Sequence, residues 1–168
     1  VPAMLRPVGR LDKDSEGLLL MTDDGAFINM LTHPSGGVGK LYRVTVNPRA
    51  TEQQIIEMSS GVVLDDGVKT KPCVIHVVVD EPGRSVLEIT LHEGRNRQIR
   101  RMCSAVGLQV VRLRRSAEGP VKLGMLQPGE YRELKKSEIN ALRNAAMKSA
   151  GKGESRAASP ARRPGPLK

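Results

Sequence analysis

Residues 40–46 alternate strictly: Tyr42, Val44 and Val46 share one face and Leu41, Arg43 and Thr45 the other, which predicts a strand with one buried side. Residues 85–92 alternate in the same way, with Val86, Glu88 and Thr90 against Leu87, Ile89 and Leu91. The β-branched run at 74–79 reads as a further strand, with Asp65-Asp66-Gly67 as a hairpin turn joining it to residues 62–64. Glu81-Pro82-Gly83 turns the chain between 74–79 and 85–92. Other segments carry the helical period. Phe27, Met30 and Leu31 fit one face of a short helix capped by Asp23 or Asp24 and ended by His33-Pro34. Thr51 with Gln54 forms a capping-box pattern that opens a helix containing Ile55, Ile56 and Met58, and Gly61 closes it. Ile99, Met102, Cys103 and Val106 fall at i, i+3, i+4 and i+7 of a helix over 95–106, stopped by Gly107. A last amphipathic helix over 137–147 uses Ile139, Leu142 and Ala146. Short strands at 8–11, 18–22, 109–113 and 130–134 complete the pattern. Hairpin turns between most neighbouring strands, with a few interposed helices, predict an α+β fold with a largely antiparallel mixed sheet and flanking helices.

Composition narrows the partner. One Phe, two Tyr and no Trp among 168 residues make the core aliphatic and each aromatic conspicuous. A formal net charge of +9 and a pI near 10.0 favour a polyanion. With no apolar run near the roughly 18 residues a spanning helix needs, nucleic acid is expected and a membrane is not. Arginine is concentrated between Gly94 and Ala117, a stretch with seven of them and no Asp or Glu, so the helix face of Arg97, Arg100 and Arg101 reads as charged and without partner acids. Residues 148–168 hold six basic residues against Glu154 alone, leaving +5 of the net charge in a Gly/Ser/Ala/Pro-rich tail expected to be disordered. Cys73 and Cys103 lie 30 positions apart and the three histidines are scattered, a spacing that suits reduced thiols and implies no metal site.

The candidate chemistry centres on Pro7 to Gly25, PVGRLDKDSEGLLLMTDDG. Asp12 follows Arg10 at the end of a short apolar run, on a turn-rich loop between two expected strands, a common mounting for a reacting group. Spacing alone favours an aspartate that bonds its own backbone, so spacing does not find the site. The motif GRLDKDSEGLLLMTDDG resembles the signature around the catalytic aspartate of the RNA pseudouridine synthases, in the branch typified by RsuA and RluB. LTHPSGGVGKLYRV is similar to that branch's tyrosine segment, LDDG to a central loop, and HEGRNRQIRRMCSAVG to its basic third motif, all in the family's order from about Pro7 to Leu134.

The resemblance implies a mixed antiparallel sheet with a cleft across it, a cofactor-free isomerisation of uridine to pseudouridine, and ribosomal RNA, of the large subunit, as partner. It implies that Asp12 is catalytic, acting as a nucleophile or as a base at C2′, and that Arg100 pairs with it; a plain phosphate contact is the alternative for Arg100. Tyr42 is implied to stack on the target base, where the residues alone leave core filling equally open, and Ile99 to pack beneath Tyr42. Arg10 is implied to fill the gap left when the uridine leaves its stack or to orient the flipped nucleotide, and Arg95, Arg97 and Arg101 to hold phosphates. The Gly36-Gly37-Val38-Gly39 stretch departs from the family's approach to the tyrosine and reads as a looser loop. The resemblance also implies an upstream strand with a lysine-proline motif and an S4-type RNA-binding domain, so the chain, which opens on valine, reads as an excerpt of a longer one. Residues 1–147 are then a catalytic domain, acting as a monomer in the cytoplasm or in an organelle. A non-catalytic RNA-binding or ribosome-assembly module is the rival reading.

Overall fold

The computed structural model describes residues 4–33 and 37–158, with side chains described as far as residue 148. Its strands are β1 (Arg6–Pro7), β2 (Glu16–Gly17), β3 (Met21–Thr22), β4 (Lys40–Asn47), β5 (Val74–Glu81), β6 (Arg84–Leu91), β7 (Gln109–Glu118) and β8 (Val121–Lys122); its helices are α1 (Gly25–Thr32), α2 (Glu52–Ser60), α3 (Gln98–Ala105) and α4 (Lys136–Ala158). One sheet runs in the order β2-β7-β4-β6-β5, with β8 paired to β7, and β1 pairs with β3 in a small ribbon. Every pairing is antiparallel except β2 with β7. The expected α+β architecture with a mostly antiparallel mixed sheet is therefore the one observed.

The alternation in β4 decides the main core. Val44 and Val46 are fully buried and pack with Leu87, Ile89, Leu91 and Leu113 of the neighbouring strands, while Met58 of α2 and Ile99, Met102 and Cys103 of α3 cover the same face. Burying a side chain of this kind stabilises by roughly 1.5–3 kcal/mol, which is why the two short helices are held by packing and not by propensity. A second core joins Val8, Leu18 and Leu20 to Phe27 and Leu31 of α1, Val38, Val121, and Leu142 and Ala146 of α4. The caps agree with the sequence: Asp24 Oδ1 accepts from the amides of Ala26 and Phe27, and Thr51 and Gln54 form a reciprocal capping box.

Several elements differ from expectation. Strand 8–11 is displaced to β1, and of residues 18–22 only Met21–Thr22 form a strand, β3, while Leu18 and Leu20, buried in the second core, make single backbone bonds to Arg115 O and from Val8 N. The Asp65-Asp66-Gly67 turn closes on its own flanks, with Thr70 N donating to Val62 O, so that β5 is free to pair with β6. Helix 95–106 begins only at Gln98, since Arg97 stands in the left-handed region at φ 52°. β7 runs on to Glu118 and hairpins into β8, which takes the place expected for residues 130–134; that segment is a largely exposed loop. α4 continues as helix to Ala158, so the first part of the segment expected to be disordered is helical, its Ala, Lys, Ser and Glu residues tolerating the helix despite two glycines. Residues 159–168 lie outside the described residues, as does Gly36 of the glycine stretch. Val38 and Gly39 are not loose: Val38 is 2% exposed in the second core and Gly39 O accepts from Gly119 N at 2.7 Å.

Candidate active site

Asp12 lies on the loop between β1 and β2, and local chemistry shapes that loop. Ser15 N donates to Asp12 O at 2.9 Å, closing a turn over Lys13 and Asp14, and Asp12 itself is partly buried. The outgoing limb lies along β7 through the parallel pairs Glu16 with Arg114 and Gly17 with Arg115. Gly17 is required here, since a Cβ at its φ of 120° would stand 2.2 Å from Arg115 O. An Arg112–Glu16 ion pair reinforces the pairing.

The third side of the loop is α3. Arg97 grips Asp14 with two hydrogen bonds, each 2.9 Å. Arg100 Nη2 donates to Asp14 O at 2.8 Å, and its Nε lies 3.4 Å from the Asp14 carboxylate. Asp14 is held below the usual carboxylate range, chiefly by the hydrogen bond from Arg97. Arg97 is pushed up in turn, first by that bond and then by the charges of Asp14 and Asp12. Two expectations are corrected here. The aspartate that pairs with Arg100 is Asp14, not Asp12, because the Asp12–Ser15 turn swings Asp14 toward α3. Nor does α3 lack partner acids: Asp14 meets Arg97 and Arg100, Asp65 and Asp66 meet Arg101 at 2.7 and 2.9 Å, and Glu93 meets Arg95 at 3.2 Å. None of these acids lies within the arginine-rich stretch itself, so the local charge pattern gave no sign of them.

Tyr42 points to the core face as its alternation implies, half-buried against the main core, in register with Arg115 on one side and Ile89 on the other. Ile99 is 4% exposed in that same core. Arg10 is exposed, and its carbonyl accepts from Arg115 Nη1 at 3.4 Å. The loop leading into α3 is tied by buried Gln98, which bonds Glu93 at 2.9 Å and accepts from Arg95 N at 3.1 Å. A cleft of about 300 Å³ between α3 and the start of β7 is lined by Arg97, Arg100, Ser104, Leu108, Gln109 and Val110 and by neither Asp12 nor Tyr42. The thiols are inert: burial pushes Cys73 up to about 11 and Cys103 up to about 12.

A family model for RNA pseudouridylate synthase matches residues 2–105, which takes in the Asp12 loop, Tyr42 and α3. The chain belongs to the RNA pseudouridylate synthase family. An uncharacterised RNA pseudouridine synthase of Aquifex aeolicus is 42% identical over 139 residues, covering 83% of this chain and 55% of that protein. The ribosomal large subunit pseudouridine synthase B of Bacillus subtilis is 38% identical over 148 residues, covering 87% and 60%. A crystal structure of a pseudouridylate synthase superposes with a TM-score of 0.78 at 37% identity, covering 83% of this chain and 60% of that one. The chain thus spans little more than half the length of the curated relatives it matches. The matched residues run from β1 through α3 and so include β4 and the loop that holds Asp12.

Proposed function

We propose that the protein isomerises a uridine of ribosomal RNA, in the large subunit, to pseudouridine, with Asp12 as the catalytic carboxylate. The reaction breaks the N1–C1′ bond, turns the uracil and rejoins C1′ to C5, so a single aimed carboxylate suffices. Glycoside hydrolysis, in contrast, normally uses two. The observation that carries the reading is the placement of Asp12: partly buried at the start of a turn in a loop braced on β7 and on α3, within the field of the Arg97 charge. Tyr42 offers a ring on the same side of the sheet, and stacking a flipped base on it is worth roughly 1–3 kcal/mol. Ile99 backs that ring from α3, and Arg10, exposed at the mouth of the loop, orients the extruded nucleotide. Arg95, Arg97 and Arg101 exchange their acid partners for phosphates when RNA arrives. Arg100 braces the loop through Asp14. The protein works as a monomer in the cytoplasm, with an S4-type domain elsewhere in the full-length chain.

Asp12→Ala tests the assignment. Pseudouridine formation in an rRNA fragment, mapped by base-specific chemical modification, should fall below detection while RNA affinity stays within about twofold, because Asp12 is a single acid whose removal takes no phosphate contact away. Retained pseudouridine formation would sink the catalytic role; equal loss of binding and activity would favour the non-catalytic RNA-binding module.

A further inference from the structure

Arg115 is an inward-facing arginine on β7 and is only 3% exposed. Its strand neighbours on that face, Leu113 and Ala117, are apolar and buried, so the position is one where an aliphatic side chain would be the ordinary occupant. A buried guanidinium is costly unless its donors are used. Two of them are. Nε donates to Leu18 O at 2.9 Å and Nη1 to Arg10 O at 3.4 Å, so one planar group touches the carbonyl before Asp12's limb and the carbonyl after Gly17. The strand returns the contact, with Leu18 N donating to Arg115 O at 2.8 Å. On its other side Arg115 is the register partner of Tyr42. Charges that face it are those of Lys40 and Glu118; Glu118 is fully buried with neither carboxylate oxygen hydrogen-bonded.

We propose that Arg115 is a positioning residue that fixes the separation of the two limbs of the Asp12 loop and so sets the aim of Asp12 toward a base held at Tyr42. The proposal rests on the catalytic reading of Asp12. A rigid fork is what the geometry demands: two carbonyls on different limbs are bridged by two donors of one plane, which a lysine ammonium on a flexible stem does not reproduce. Misplacing a reacting group by about 1 Å lowers rates by about 10²-fold without altering what the substrate binds to.

The test uses Arg115→Lys in the full chain, read in three ways. Single-turnover pseudouridine formation at saturating RNA should fall about 10²-fold. RNA affinity should stay within about twofold, since Arg115 is buried away from phosphate. Amide hydrogen exchange should quicken by about tenfold or more in residues 10–18 alone, with β4 and α3 keeping wild-type protection. A wild-type rate with unchanged exchange overturns the proposal. So does exchange that rises throughout the molecule together with proportional losses of rate and affinity, the pattern of a merely structural arginine. The exchange readout does not depend on chemistry, so an active Asp12→Ala protein would defeat the catalytic reading while the loop-setting role is still judged by residues 10–18. Should the lysine variant fail to fold, the wild-type protein decides: the Arg115 Nε–H should exchange about tenfold more slowly than an exposed arginine's, and rapid exchange refutes the bond to Leu18.

Discussion

Asp14 competes with RNA for the two guanidiniums that face it. Arg97 and Arg100 both end on this one acid, which is exposed to about half. Asp14→Asn should therefore tighten RNA binding several-fold at low salt and steepen the dependence of log affinity on log salt by about 0.7–0.9, as one further cation becomes available to phosphate. Titration of binding against salt measures it, and an unchanged slope would mean that Arg97 and Arg100 do not reach the backbone. The pair also has a pH signature. Asp14 titrates below its unfolded value of 3.8, so the pair's stabilisation is present above that pH and fades as the pH falls through the depressed folded value. Near neutrality Asp14 stays charged and the competition persists. This pairing was not legible in the sequence. Asp12 and Asp14 are both loop carboxylates two positions apart, and only the turn closed by Ser15 N decides which of them faces α3. Arg115 was hidden for a related reason: within the run Arg112, Arg114 and Arg115 the inward member is chosen by register, and a bulge opposite Leu41 and Tyr42 shifts that register by one residue.

Among the elements, the shortest ones govern the site. β2 is two residues long, yet it docks the outgoing limb of the Asp12 loop on β7, and Gly17 makes that docking possible. Gly17→Ala places a Cβ in contact with the Arg115 carbonyl in a backbone region that L residues avoid. The expected loss is about 1–3 kcal/mol in thermal unfolding, and pseudouridine formation should fall further than the stability loss explains, because the limb must move off β7. A variant as stable and as active as the wild type would show that β2 does not set the loop. Longer elements were the ones sequence reading caught: β4, β5 and β6 carry enough alternation or β-branched content, and α1, α2 and α3 enough period and capping, to be placed within a few residues. Two-residue strands carry no period at all, and β1, β2, β3 and β8 exist only because neighbouring chain supplies their partners. The ladder β2-β7 is parallel, a pairing that no hairpin signal announces.

At the scale of the molecule, two cores divide the labour. The main core fixes Tyr42 and α3, and the second core, through Leu18 and Leu20, fixes the strand that leaves the Asp12 loop, so the candidate site lies where the two meet. α4 closes the second core with Leu142 and Ala146 and then runs beyond it toward the basic end of the chain. Residues 148–168 carry six basic residues against one acid, +5 of the formal +9, at a distance in sequence from every residue assigned to chemistry. Charge of that kind acts through counterion release: each phosphate neutralised contributes a slope of about −0.9 on duplex and about −0.7 on single strands. Removing residues 148–168 leaves Leu142 and Ala146 in place, so the fold should keep its melting temperature within a few degrees. The salt slope of RNA binding should flatten by at least about one unit, and turnover at saturating RNA should be unchanged, because saturation removes any advantage of tighter capture while the Asp12 loop and Tyr42 are untouched. An unaltered slope would mean that this segment never meets RNA; a drop in saturated turnover would mean that it reaches into the site, and the separation between capture by charge and chemistry by the two cores would have to be abandoned.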